Sequence, residues 1–228
     1  MAREKLYSSP EAALADLHSG ATILIGGFAH LGISRSLIKA LAGMDVEGLT
    51  CVFSPGAWPD ADGLAGIQEL VANGQVGKVV SALPFSPENG GVLKEQWQAG
   101  RLELEIVPQG TLAERLRAGG AGLGGIFLPT GAGTRFEEGK ESRQFGHQEC
   151  VFEAPLRADF ALLRGLAADT LGNLVYWGSG RNWGPVMAMA AEVTVAEVDR
   201  VYQPGGLDPE VVITPGIFVH RVVQTVGE

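Results

Sequence analysis

Short apolar runs at residues 21–25, 49–53, 78–83, 102–107, 160–164 and 193–198 recur along the chain, and helical periodicity fills several of the intervals between them. Runs of strand length that stay apolar at consecutive positions predict strands covered on both faces. Strands separated by helices are joined by crossovers and not by hairpins, so the pattern predicts an α/β fold: a largely parallel sheet with helices on both faces. With 228 residues the chain is long enough for a sizeable core, read here as one domain over 1–228. One run differs, since Leu102-Glu103-Leu104-Glu105-Ile106 alternates strictly, which fits an ordinary edge strand or one facing a partner. An opening helix is expected over 11–17, with Ser9 as its N-cap and Pro10 at the first helical position.

One strand-to-helix junction is unusually rich in glycine. The run 21–25 leads into Gly26-Gly27-Phe28-Ala29-His30-Leu31-Gly32-Ile33-Ser34, and helical periodicity resumes over 36–41. Glycine at such a junction permits positive φ and lets a ligand approach bare N–H groups, which predicts a ligand-facing turn; plain packing of helix on sheet is the alternative. Phe28 is then an apolar wall or a core plug, and His30 contacts a carboxylate or lies on the surface.

Composition narrows the function classes. Seventeen Lys plus Arg against 26 Asp plus Glu give a net charge of −9, which argues against nucleic acid or an anionic membrane as the main partner. The two cysteines, Cys51 and Cys150, form no CxxC pair and are expected as buried small apolar groups in a reducing compartment. The four histidines, His18, His30, His147 and His220, have no metal-ligand spacing, so no metal is expected. Arg3-Glu4-Lys5 precede a polar stretch, so neither a signal peptide nor a spanning helix is expected, and the reading is cytoplasmic. The 33 glycines are about twice the ordinary share, and many fall between Gly110 and Gly139. Residues 118–133 are accordingly read as active-site loops, with a flexible surface lid as the alternative.

Further blocks lie downstream. They are Val107-Pro108-Gln109-Gly110-Thr111-Leu112-Ala113-Glu114-Arg115, Ala118-Gly119-Gly120-Ala121-Gly122-Leu123-Gly124-Gly125, Pro129-Thr130-Gly131-Ala132-Gly133-Thr134, Glu137-Glu138-Gly139-Lys140, Leu156-Arg157-Ala158-Asp159 and Gly172-Asn173-Leu174. Together with the glycine turn, and in this order over nearly the whole chain, they resemble the A subunit of family I CoA-transferases of the 3-oxoacid and 3-oxoadipate type.

The resemblance implies a CoA-transferase-like fold and transfer of CoA between an acyl-CoA and a free carboxylic acid, with the CoA thioester as substrate and no bound cofactor. It implies a ping-pong route through a glutamyl-CoA thioester, the glutamate lying in a Ser-Glu-Asn-Gly motif of a partner B subunit, within a complex of two A and two B chains. Ser86-Pro87-Glu88-Asn89-Gly90-Gly91 is a near match to that motif and is read as a decoy, because Pro87 intrudes and no apolar pair follows Gly90. Gln109 is assigned to oxyanion stabilisation on the resemblance; from the residues alone, a glutamine beside a turn also caps a backbone group. Gly26, Gly27, Phe28, His30 and Gly32, with Ser54, Gly131 and Gly133, are the expected substrate- and CoA-binding set.

Departures from the family pattern bear on specificity. Ser34 stands where proline is usual, Ser19 where Asp or Asn is usual, and Ser54-Pro55-Gly56-Ala57-Trp58 replaces an asparagine-rich turn, which admits a larger or aromatic acyl group. Arg181-Asn182 matches an Ala-Arg-Asn block with Gly180 in place of the alanine, and Arg181 is expected to be buried and paired with a carboxylate, with direct ligand contact as the alternative. An acyl-CoA hydrolase or C–C lyase subunit on the same fold, or a non-catalytic ligand-binding domain, are the competing readings.

Overall fold

The computed structural model describes residues 5–54, 66–85 and 90–225. In chain order the elements are β1 (Leu6–Tyr7), α1 (Pro10–Leu14), β2 (Thr22–Ile25), α2 (Arg35–Ala42), β3 (Leu49–Phe53), α3 (Ile67–Ala72), β4 (Val76–Ser81), α4 (Gly91–Gln98), β5 (Glu103–Ile106), α5 (Gln109–Gly120), β6 (Ile126–Leu128), β7 (Ser142–Phe145), β8 (Gln148–Glu153), β9 (Ala158–Asp169), β10 (Leu174–Val175), α6 (Gly184–Ala190), β11 (Ala191–Tyr202) and β12 (Arg221–Gln224).

The main sheet runs β1-β12-β11-β9-β2-β3-β4-β5. Every neighbouring pair along this path is parallel, and β10 adds an antiparallel pairing to β9. Strand periodicity sends alternate residues to opposite faces. Ile23, Ile25, Cys51, Phe53 and Val79 pack with α1 to α4, while Leu24, Val52, Val80, Ala161 and Leu163 pack with α5 and α6. Both faces are thereby covered, as the unbroken apolar runs predict. Ser9 accepts from the Ala12 backbone N–H at 3.2 Å and Pro10 opens α1, although that helix is shorter than expected.

The strictly alternating run is the edge strand β5, paired among the described residues with β4 alone. Its acidic face is not bare: Lys78 Nζ lies 2.8 Å from Glu103 and 2.9 Å from Glu105, and Arg115 lies 2.9 Å from Glu105. Burial pushes the Glu105 carboxyl up, but the hydrogen bonds and charges of Lys78 and Arg115 outweigh it and hold Glu105 below its ordinary range. Cys51 and Cys150 are buried and free, and burial raises the Cys51 thiol to about 12, which leaves it inert.

The glycine-rich tract corrects the sequence reading. Residues 118–133 are not one set of loops: Ala118, Gly119 and Gly120 are the last turn of α5, and 126–128 form β6. Glycine is required there for close packing. A Cβ on Gly119 would lie 2.0 Å from the Leu156 carbonyl oxygen, and one on Gly120 would lie 2.6 Å from Met189 Cβ on α6. Strand β6 belongs to a separate antiparallel sheet, β6-β8-β7, inserted between α5 and β9. Phe127 packs against Phe145 and Phe152 there, with Arg143 over the Phe127 ring at 4.6 Å.

Candidate active site

Parallel α/β sheets present ligand sites beyond the carboxyl ends of their strands. The glycine turn leaves the carboxyl end of β2, Ser54 follows β3, and Gln109 follows β5 through Pro108. Gly26 N–H is held by the Leu162 carbonyl at 3.0 Å, and Phe28 and Leu31 exchange backbone hydrogen bonds at 2.9 and 3.0 Å. Ala29 and His30 therefore form the tip of a small loop, with Ala29 at φ +54°. Phe28 is 46 % exposed, which removes the core-plug reading, and His30 lies on the surface.

Gly27 and Gly32 are the positions where glycine is compelled. Gly27 has φ +107° and Gly32 φ +70°, and a Cβ on Gly32 would fall 2.3 Å from the Gly180 carbonyl oxygen. The turn thus seats directly on the short 3-10 segment Gly178–Arg181. Asn182 clamps the junction, donating from Nδ2 to the Gly27 carbonyl at 2.5 Å while itself holding φ +33°. The buried, ion-paired reading of Arg181 is overturned: in the 3-10 turn its side chain is exposed and makes no ion pair among the described residues, which leaves the ligand-contact alternative. Asn182 is the structural member of that pair.

Beside the contact of this turn with the 3-10 segment opens a cavity of about 500 Å³, lined by Leu31, Gly32, Arg164, Trp177, Gly180 and Asp199 among others. Its rim is apolar, with Leu31 45 % and Trp177 77 % exposed. Beneath it, the Arg164 guanidinium bridges Asp199 and Glu197.

Glu197 ties the site to the sheet. Ser34 occupies the N-cap position of α2, yet its side chain caps nothing. The Glu197 carboxylate, reaching from β11, accepts instead from the Ser36 and Leu37 backbone N–H groups at 3.0 and 3.1 Å. Burial pushes the Glu197 carboxyl above its ordinary value, offset in part by the Leu37 N–H and by Arg164. A raised folded-state value means that the folded chain keeps this proton to higher pH than the unfolded chain does. The proton-linked part of the stabilisation by Glu197 therefore grows as pH falls from the raised value toward the ordinary carboxylate range and is absent above it, while the capping hydrogen bonds remain. Replacing Glu197 by Ala strands two helix N–H groups and removes a partner of Arg164, and is expected to destabilise the fold by about 2 kcal/mol or more at neutral pH. Glu197→Gln keeps an acceptor and is expected to cost less than the alanine variant while flattening this part of the pH profile. Urea unfolding at several pH values checks both; equal losses for Ala and Gln would remove the capping role.

Gln109 is the first residue of α5, but its side chain does not cap the helix. Nε2 donates to Ser54 Oγ at 3.0 Å across the width of β4, and the buried Oε1 has no partner among the described residues. Ser54 is only 2 % exposed, so its hydroxyl supports Gln109 from below and is not part of the accessible wall.

Gly131 and Gly133 lie in the turn after β6, and the Gly133 N–H is taken by Glu137 at 2.7 Å. A second cavity of about 440 Å³ borders Val107 and Pro108, and its lining from this insertion includes Arg135, Phe136, Glu138, Lys140 and Phe152. The Glu137-Glu138-Lys140 turn is a structural staple: Glu137 accepts from Ser142 Oγ at 2.5 Å, and Lys140 lies 2.6 Å from the buried Glu153. Residues 55–65 and 86–89, which include Pro55, Trp58 and Glu88, lie outside the described residues.

Sequence reasoning missed Glu197, Arg164 and Trp177. The available signal was charge inside apolar runs: Glu197 interrupts 193–198 and Arg164 ends 160–164, and a charge in a covered strand needs a partner.

Comparison with known proteins gives the family. The sequence pattern of the family described as Coenzyme A transferase matches residues 7–225. The chain is 44 % identical to the A subunit of 3-oxoadipate CoA-transferase from Pseudomonas putida over 223 residues, 98 % of this chain and 94 % of that one. It is 47 % identical to the A subunit of 3-oxoadipate CoA-transferase from Acinetobacter baylyi over 211 residues, 92 % of this chain and 90 % of that one. The crystal structure of the acyl-CoA transferase YdiF from Escherichia coli O157:H7 superposes with a TM-score of 0.80 at 20 % identity. That match covers 97 % of this chain and 47 % of YdiF, about half its length, and concerns the fold alone. By its sequence from residue 7 to residue 225, this chain belongs to the coenzyme A transferase family.

Proposed function

We propose that the chain is the A subunit of a two-subunit CoA-transferase that moves CoA between an acyl-CoA and a free carboxylic acid of the 3-oxoacid type. The observation that carries this reading is the Gln109 carboxamide at the carboxyl end of β5, held by Ser54 at the end of β3, the strand next to β2 and its glycine turn. In this reading the thioester carbonyl is attacked by a glutamate of the B subunit, which expels CoA thiolate and forms an acyl-glutamyl anhydride. The thiolate returns to the glutamyl carbonyl, the first acid leaves, and the second acid reverses the sequence. Each attack places negative charge on a carbonyl oxygen, and a neutral amide donor fixed in advance stabilises that charge without reorganisation.

Two carboxylates at this end of the sheet support a nucleophile on a partner chain. Glu197 caps α2 and Asp199 pairs with Arg164, so neither is a free nucleophile. Leu31 and Trp177 at the cavity and Phe28 in the same turn as Leu31 are exposed apolar groups of the kind that a protein partner covers, and covering them keeps water from the thioester. An assembly of two A and two B chains completes the proposal.

The test uses the chain alone and co-expressed with its B subunit. The pair is expected to turn over acyl-CoA with an acceptor acid, and the isolated chain to be inactive. With acyl-CoA and no acceptor, a glutamyl-CoA thioester should accumulate on the partner chain, detectable by borohydride reduction and mass spectrometry. An adduct on Glu88, or turnover by the isolated chain, overturns the subunit reading. Steady release of CoA into water without an adduct points to hydrolysis.

A further inference from the structure

Ser54 and Gln109 stand at the ends of two strands that are not neighbours: β3 and β5 are separated by β4. Their hydrogen bond therefore crosses the mouth of the sheet, and it joins a rigid group to a flexible one. Ser54 is the residue that follows β3, and it is 2 % exposed. It has one short side chain in a packed setting. Gln109 has three rotatable side-chain bonds and sits at the first position of α5, where the helix backbone leaves the side chain unguided.

Among the described residues, the side chain of Gln109 has this one hydrogen bond, since Oε1 is buried without a partner. With Nε2 on Ser54 Oγ, the carboxamide is anchored at the mouth of the sheet with its second Nε2 hydrogen left for a ligand. Without that tie the amide turns about its last bond, and the directions of donor and acceptor exchange. An amide that acts on a developing oxyanion loses its effect in the exchanged orientation, where it presents an oxygen to an oxygen.

We propose that Ser54 is a positioning residue for the transfer reaction: its hydroxyl fixes the orientation of the Gln109 carboxamide, and it acts on catalysis only through Gln109. This rests on the assignment of Gln109 to oxyanion stabilisation given above. It also explains why a serine serves at this place although it is too buried to line the accessible wall of the site.

The experiment is a double-mutant cycle on the assembled enzyme. Ser54→Ala is nearly isosteric and is expected to lower kcat by about tenfold with little change in KM for acyl-CoA, the loss expected from a misoriented group. Ser54→Thr keeps the hydroxyl and is expected to recover most of that loss. In a Gln109→Ala background, Ser54→Ala is expected to have no further effect on kcat, a result that a general structural role does not produce. Thermal melting of each variant reports whether the fold is intact.

If Ser54→Ala lowers kcat by the same factor with and without Gln109, Ser54 acts independently and the proposal is overturned while the role of Gln109 stands. If Ser54→Ala is silent while Gln109→Ala is not, the positioning role is likewise overturned and the Gln109 assignment survives. If Gln109→Ala is itself silent, the assignment fails, and the proposal fails with it.

Discussion

Replacing Gln109 by alanine is expected to lower turnover of the assembled enzyme by about 10² or more, the loss typical of one oxyanion donor. Assembly and melting temperature should change little. The removed carboxamide is half-buried, and its oxygen has no partner among the described residues, so the truncation leaves few groups newly unsatisfied; Ser54 Oγ loses one donor. Gln109→Glu is expected to be worse than alanine, because it replaces an amide donor by a carboxylate at the point where the thioester oxygen becomes negative. Steady-state kinetics of the co-purified complex, with kcat and KM separated, decide the matter. A Gln109→Ala complex within twofold of the parent removes the residue from the mechanism, and an unfolded variant shows instead that Gln109 is needed by the fold.

Gly32→Ala is expected to have the largest effect on stability. Two costs combine. An L residue at φ +70° loses about 1–2 kcal/mol relative to glycine. The added Cβ also meets the Gly180 carbonyl oxygen at 2.3 Å and the Gly180 Cα at 2.6 Å, both backbone atoms that cannot rotate aside. The turn and the 3-10 segment must then separate, breaking the Asn182 clamp on Gly27, for a total loss on the order of 3–5 kcal/mol. Gly133 supplies the control. It has φ +69° and nothing within 4 Å of the place a Cβ would take, so Gly133→Ala carries only the conformational cost of about 1 kcal/mol. Urea unfolding of the two variants measures the difference; equal losses would mean that the Gly32–Gly180 contact yields without cost.

The sequence alone was enough for a parallel sheet with helices on both faces, because a strand covered on two sides must be apolar at consecutive positions and 49–53 is the clearest case. It was enough for the edge character of β5, since Glu103 and Glu105 tolerate only a face that opens to water or to cations. The glycine turn was legible as a strand-to-helix junction, because Gly27 and Gly32 hold positive φ locally. Tertiary structure alone decided what each glycine meets. Gly32 is silent in sequence about Gly180, 148 positions away by numbering (180 − 32), and Gly119 and Gly120 read as loop although they are helical glycines made necessary by Leu156 and Met189. It also decided the partners of the site. Ser54, Gln109, Asn182 and Glu197 come from separate strand ends and turns, and local periodicity carries no information on which of them meet. Periodicity reports how a residue faces its own element; a hydrogen bond between elements depends on sheet order and register, which exist only once the chain has folded.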